Sequence, residues 1–209
     1  MRKVGRLLLA ATLFPTPLMA QVGAPPAEQT PAAAAAQPAL PPATKLEGFK
    51  PEAGSVITIA YDNLGSLTGG PASPGIISVD VRQVRDTHGN SARGLFVQVT
   101  EISLGHEDAF VDEEEIPELL RGIDTLLAVK TNPTQFKNFA VQYTTQGALR
   151  LVAFNYFYDA SATTGEIQYG VQAGRVLIAE RTNMTAGDMR KLRAMFEAGL
   201  RKLNTTVGK

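Results

Sequence analysis

The fold follows from residues 112–127, DEEEIPELLRGIDTLL, in which four acidic residues precede an amphipathic helix. The apolar side chains recur at spacings of three and four and so share one helix face: Ile116, Leu119, Leu120, Ile123 and Leu127. Asp112 stands where a carboxylate can cap the free amides, and Glu115 can complete the reciprocal cap. The Asn132-Pro133 pair predicts the helix end, because a residue before proline avoids helical geometry.

The residues before this helix predict strands. Residues 56–61, 76–85 and 94–103 are rich in Val, Ile, Thr and Phe and alternate with a period of two. The dense turn signal at residues 86–91 predicts a hairpin between the last two runs. A further short strand is predicted at residues 109–111.

Four more strand-like runs follow the helix, at residues 138–145, 148–158, 166–171 and 175–181. The short turns between them favour an antiparallel meander. Thr185 then begins a second helix, with Asp188 at the third position of a capping box and Met184 able to pack on Met189 across the cap. The predicted buried stripe of this helix is Met189, Leu192, Phe196, Leu200 and Leu203.

These elements predict an α+β fold. We expect one antiparallel sheet of about seven or eight strands, including an amino-terminal hairpin. The apolar stripes of both helices are buried if the two helices pack on one face of that sheet.

Residues 1–20, MRKVGRLLLAATLFPTPLMA, predict a signal peptide, with a basic start, a short apolar run and a small residue at Ala20. The apolar run is too short to cross a bilayer, so we expect no stable membrane span after cleavage. Residues 21–44 contain 15 Ala or Pro among 24 residues and predict a disordered linker. Residues 45–209 then form a single domain, expected in the periplasm, with full secretion as the alternative.

The composition excludes several functions. Three of the 20 basic residues lie in the predicted leader, which leaves 17 against 20 acidic residues. This balance does not favour a nucleic-acid partner. The chain has no cysteine, so disulfides, thiolate metal sites and a cysteine nucleophile are excluded.

No motif with recognisable chemistry is present. Asp86, His88 and Ser91 have the residue types of a hydrolase triad, but they fall within one turn and cannot converge from separate elements. The run at residues 106–108, HED, lacks a spaced partner ligand for a metal. The glycine-rich stretch at residues 65–75 lacks the lysine of a phosphate loop and predicts a surface connection. We expect no catalytic residue, metal or cofactor.

One face of the predicted meander is rich in amides. Gln142, Arg150, Tyr156 and Gln168 share the side-chain parity that points away from the helices, and they form a candidate binding surface. A solvated sheet face, or a second layer of strands on this face, is the structural alternative.

The sequence favours a non-catalytic binding or interaction module of the bacterial cell envelope, with an envelope protein or a small ligand as its partner. The alternative is a hydrolase-like envelope enzyme that uses dispersed acidic residues and one of the two histidines. In that alternative, a histidine lies in a pocket beside a carboxylate.

Overall fold

The computed structural model describes residues 43–70, 75–101, 105–156, 163–174 and 182–205. The predicted leader, nearly all of the predicted linker and the predicted strand at residues 175–181 lie outside the described residues. From residue 43 onward the described chain contains eight strands, two α-helices and a short 3-10 helix at Glu113–Glu115. The predicted α+β class is confirmed.

The strands and helices form two antiparallel sheets and a helical layer. In chain order the elements are β1 Ile57–Thr68, β2 Gly75–Asp86, β3 Ser91–Glu101, β4 Gly105–Asp112, α1 Ile116–Leu127, β5 Ala140–Thr144, β6 Arg150–Tyr156, β7 Thr163–Gln172, β8 Thr182–Met184 and α2 Ala186–Thr205. Strands β1 to β4 form the first sheet and β5 to β8 the second, each with its strands in chain order. Both sheets are therefore simple meanders.

The expectation of one continuous sheet needs correction. After β4 the chain runs through α1 before it returns as β5, so β4 and β5 do not form a hairpin. An isolated bridge between Phe110 and Gly147 joins the two sheets. A Cβ on Gly147 would overlap the carbonyl oxygen of Phe110, so glycine permits this close backbone approach.

The helices cover the inner faces of both sheets. Helix α1 packs on α2 and on β5 and β6, and α2 also packs on β1, β2 and β3. The buried residues of the two helices recur at the predicted helical spacing: Ile116, Leu119, Ile123 and Leu126 in α1, and Met189, Leu192, Phe196 and Leu203 in α2. The core therefore lies between the helices and the two sheets.

The two helix starts differ. The Thr185 hydroxyl accepts a hydrogen bond from the Asp188 amide at 3.2 Å, and the Asp188 carboxylate accepts one from the Thr185 amide at 3.3 Å, which confirms the predicted capping box. Asp112 does not cap α1. It ends β4, and its carboxylate accepts hydrogen bonds from the amides of Lys45 and Leu46 at 2.8 and 3.0 Å. The Asp112 carboxylate therefore stabilises the turn at Lys45 and Leu46. The amides of this turn occupy the oxygens that would otherwise accept hydrogen bonds from the first amides of the helix.

Two elements, α1 and β1, end at residues other than those predicted. Helix α1 ends at Leu127, before the Asn132-Pro133 pair. Strand β1 continues to Thr68, so the first part of the predicted glycine-rich loop is strand. The pairing of β1 with β2 shifts between Asn63 and Gly65, and Gly65 has a φ of 136°, a conformation that favours glycine.

Candidate functional site

The structure brings three of the four predicted binding residues onto one face of the second sheet. Thr144 pairs with Arg150, Gln142 pairs with Val152, and Gln168 pairs with Phe154. Paired residues in adjacent strands share a face, and so do residues two apart along a strand. Gln142, Arg150 and Gln168 therefore point away from the helices.

The fourth residue, Tyr156, follows an irregularity in the pairing of β6 with β7. Phe154 pairs with Gln168, but Tyr156 pairs with Thr163 instead of the next residue in register. The side chain of Tyr156 lies outside the described part of the structure. The predicted binding surface therefore contains three described side chains, Gln142, Arg150 and Gln168. The sheet face that carries them is named here the amide face.

The centre of this amide face is closed to solvent. Val152 and Phe154 lie between the polar residues and are only 3% and 1% exposed, although they do not belong to the main core cluster. Arg150 and Gln168 are half-buried, and Gln142 is exposed. The amides therefore rim a buried apolar centre, and a ligand has no open access to that centre.

The turn at residues 86–91 is structural. One carboxylate oxygen of Asp86 accepts hydrogen bonds from the amides of His88 and Asn90, and the other accepts one from the Asn90 side chain. These bonds, led by the one from the Asn90 side chain, hold the pKa of Asp86 below its usual value. The His88 ring faces Glu52 instead, with 3.8 Å between Nδ1 and the carboxylate, and remains 48% exposed. Asp86 therefore stabilises the hairpin by accepting hydrogen bonds from His88 and Asn90.

The histidine at residue 106 also lies on the surface. His106 is exposed on β4 opposite Thr100, and Asp108 accepts a hydrogen bond from Gln98 at 3.0 Å. Among the described residues, no group of three or more side chains could hold a metal ion.

The acidic residues before α1 border an open cleft of about 480 Å³. Glu114 forms an ion pair with Lys45, and Glu115 accepts a hydrogen bond from the Gln146 amide at 2.8 Å. Burial of the Glu115 carboxyl is the main reason why its pKa lies above the usual value. These contacts attach the amino-terminal turn and the β5–β6 loop to the helix, which is a structural role.

The most exposed apolar surface follows β1. Val56, Ile57, Ile59 and Tyr61, named here the β1 edge, are all large and exposed, with Ile59 at 60% and Tyr61 at 72%. Residues 56–61, VITIAY, contain no charge and no proline. Within the described residues β1 is the outermost strand of its sheet and pairs with β2. This strand therefore presents an uncharged apolar border to solvent.

The backbone of β1 also offers hydrogen-bonding groups at this border. The Val56 carbonyl accepts a hydrogen bond from the Thr87 amide at 3.1 Å, so Val56 turns its polar groups toward the β2 side. Successive residues of an antiparallel strand turn these groups to opposite sides. Ile57, Ile59 and Tyr61 therefore direct their N–H and C=O groups outward.

The other sheet borders are protected in ways that residues 56–61 are not. Strand β4 carries His106, Glu107 and Asp108, and charged residues discourage pairing with another strand. Strands β5 and β8 are short, with 5 and 3 residues, and β5 contacts α1. Of the sheet borders in the described part of the chain, β1 is the long one, with 12 residues.

A groove of about 350 Å³ runs beside the β1 edge, between β1 and the carboxyl end of α2. Its charged groups have partners: Lys202 forms an ion pair with Asp62, and the Arg82 guanidinium lies 3.4 Å from the centroid of the Phe96 ring. The groove therefore adds apolar depth beside the β1 edge.

The sequence pattern predicts a strand at residues 56–61 but does not reveal that this strand is accessible. A uniformly uncharged, β-branched run gives the same signal in a central strand and in a border strand. The order of strands within the sheet decides between these positions, and this order is set by contacts far apart in the sequence.

The comparisons with known proteins give no functional assignment. No protein-family model matches the chain, and no curated protein shows significant similarity to it. None of the helices in the described ranges is long and apolar enough to cross a membrane.

Proposed function

We propose that this protein is a non-catalytic interaction module of the bacterial cell envelope, and that it binds a protein partner along the β1 edge. The observation that carries this proposal is the exposure of Ile57, Ile59 and Tyr61 in residues 56–61, the uncharged part of the border strand β1. The partner is an extended segment of polypeptide that adds to the sheet as a further strand.

The physical basis is strand addition. Unpaired N–H and C=O groups on a border strand form a template for another chain, and most proteins protect such borders with charge, proline or a short strand. Residues 56–61 have none of these protections. Main-chain hydrogen bonds would give the complex its affinity, and the apolar side chains at alternate positions would select apolar side chains of the partner.

The location in the envelope rests on the sequence of the amino terminus. Residues 1–20 have the three-part layout of a signal peptide, and the Ala/Pro-rich residues 21–44 would act as a tether. In the extended polyproline form such a tether spans roughly 70 Å, at about 3.1 Å per residue. We place the mature protein in the periplasm, where the tether allows the β1 edge to reach a partner.

The structure offers little support for the enzyme alternative. Both histidines are exposed, and His88 lies 3.8 Å from a carboxylate on open surface. A general acid or base normally lies in a pocket that shifts its pKa toward the working pH. We therefore favour binding without catalysis.

Site-specific photo-crosslinking in living cells tests the proposal. A photoreactive amino acid replaces Ile59, and a matched control replaces Ile76, which is 51% exposed on the same sheet face but lies on β2. We expect a discrete crosslinked species from position 59 and none from position 76. An equal pattern of products from both positions, or no product from position 59, would contradict the proposal.

A second variant tests whether the crosslinked product from position 59 depends on strand pairing. Proline in place of Ile57 removes an outward N–H, and proline is tolerated at the first residue of a strand and on a border strand. We expect Ile57→Pro to abolish the product from position 59 and Ile57→Ala to weaken it only partly. Equal products from both variants would show that the main chain of β1 takes no part in binding.

A further inference from the structure

The β1 edge is complementary to itself. We propose that its occupant is a second copy of this chain, bound through antiparallel pairing of β1 with β1 about a two-fold axis at Ile59. This inference rests on the proposed function and names the partner. The result is a dimer in which two four-stranded sheets form one continuous sheet of eight strands.

The length of the available strand sets the position of the axis. On one side, Ser55 closes a turn through its amide hydrogen bond to the Glu52 carbonyl at 3.1 Å. On the other side, the regular pairing of β1 is interrupted between Asn63 and Gly65. The regular pairing therefore extends to Asn63, and Ile59 is the outward-directed residue nearest the middle of its uncharged part, residues 56–61.

The hydrogen-bonding groups match about this axis. Ile59 directs its N–H and C=O outward, so Ile59 of each copy can exchange both hydrogen bonds with Ile59 of the other. The same symmetry places Ile57 opposite Tyr61 of the second copy, and both residues also direct their groups outward. Every outward group from Ile57 to Tyr61 thus acquires a partner.

The side chains match as well. The axis brings Ile59 beside Ile59 and places each Ile57 beside a Tyr61, and pairs of aromatic and β-branched residues are favourable across strands. On the other face, Thr58 lies opposite the small Ala60. No charged side chain occurs from Val56 to Tyr61, so the two copies meet without like charges in the centre.

Charge at the ends of the segment is also compatible with a dimer. Asp62 would lie opposite Val56 of the second copy, and it already forms an ion pair with Lys202 of its own chain. Without the predicted leader the chain carries 17 basic against 20 acidic residues, so only a small net repulsion opposes association.

The exposed surface is large enough for a modest interface. The four side chains of the β1 edge are each between 41% and 72% exposed. Pairing of two such short borders lies near the lower limit for a specific interface, about 1,000 Å² in total. We therefore expect a reversible dimer with a dissociation constant in the micromolar range.

A single cysteine tests the axis directly, because the chain has none of its own. Hydrogen-bonded antiparallel pairs have Cα atoms about 5.5 Å apart, within the range that a disulfide spans. In the full chain, we expect Ile59→Cys to form a covalent dimer on mild oxidation. Thr58→Cys should remain monomeric, because the axis holds its two copies too far apart, and Ile76→Cys serves as the matched surface control.

Paired charges give a second, independent measurement. The axis brings residue 57 opposite residue 61, so the double variant I57K/Y61E places opposite charges together and should sediment as a dimer. The variant I57K/Y61K places like charges together and should sediment as a monomer up to about 1 mM. Covalent dimers from all three cysteine variants alike, or the same sedimentation of both double variants, would overturn this axis.

The outcomes also separate this inference from the proposed function. If Ile59→Cys and the unmodified chain remain monomeric while position 59 crosslinks to a different protein in cells, the dimer is overturned and the interaction module stands. If neither dimer nor crosslinked product forms, both proposals fail. A covalent Ile59→Cys dimer with a monomeric Thr58→Cys control supports both.

Discussion

Substitution of Gly122 by alanine tests how closely α1 packs on the second sheet. Gly122 lies in the middle of α1 and faces the ring of Tyr143 on β5. A Cβ placed on Gly122 would lie 2.6 to 2.8 Å from three atoms of that ring. Ordinary contacts of a Cβ lie between 3.4 and 4 Å, so the ring or the helix must move by about 0.7 Å.

Two effects of this substitution oppose each other. Alanine in place of glycine stabilises a helix interior by about 1 kcal/mol. Forcing an extra methyl group into a packed contact costs about 1–3 kcal/mol. The contact involves a ring that burial has partly removed from solvent, as the raised pKa of Tyr143 also indicates. We therefore expect Gly122→Ala to lower the free energy of unfolding by about 1 kcal/mol.

Chemical denaturation of a double-mutant cycle measures the two effects separately. Without the ring, in the Tyr143→Ala background, Gly122→Ala should stabilise the protein by about 1 kcal/mol. Gly187→Ala is the matched control, because a Cβ there meets only Thr185 Oγ1, at 3.5 Å, and it should stabilise by ~0.5 kcal/mol. Stabilisation by Gly122→Ala in the presence of Tyr143 would refute the packing described for α1 and β5.

Three further substitutions test individual contacts. Asp112→Ala should lower the free energy of unfolding by ~1–3 kcal/mol and speed hydrogen exchange at Leu46, whose amide loses its acceptor; continued protection of Leu46 would contradict this. Thr185→Ala should cost about 1 kcal/mol near neutral pH by calorimetry, with recovery in Thr185→Ser. Because the Thr185 hydroxyl lowers the pKa of Asp188, this loss should shrink as the pH falls through that lowered pKa. Burial raises the pKa of Glu115, so Glu115→Gln should stabilise the protein at neutral pH and have no such effect below about pH 4, where the unfolded carboxyl is protonated.

Local patterns in the sequence were sufficient for much of the fold. The capping box of Thr185 and Asp188 spans four residues, so sequence spacing alone predicts it. The hairpin at residues 86–91 is equally local, since Asp86 bonds to residues at most four positions away. The prediction of Asp112 as a helix cap is wrong because its carboxylate oxygens accept hydrogen bonds from the amides of Lys45 and Leu46. These residues lie more than sixty positions earlier, so no local sequence pattern reveals the contact.

The arrangement of the strands depends on contacts of this long-range kind. The division into two sheets follows from the path through α1, which separates β4 from β5 in the chain. The same limit applies to the binding surface. Alternation correctly placed Gln142, Arg150 and Gln168 on one face, but the burial of Phe154 at its centre requires knowledge of the three-dimensional packing.

Amide hydrogen exchange along β1, measured by NMR in the full chain at increasing protein concentration, directly tests the pairing of β1 with a second copy. The amides of Thr58 and Ala60 face β2 and should be protected at every concentration. The outward amides of Ile57, Ile59 and Tyr61 should exchange rapidly in dilute solution and slow progressively as β1 pairs with a second copy. Rapid exchange of these three amides at every concentration would contradict the pairing of β1 with a second copy.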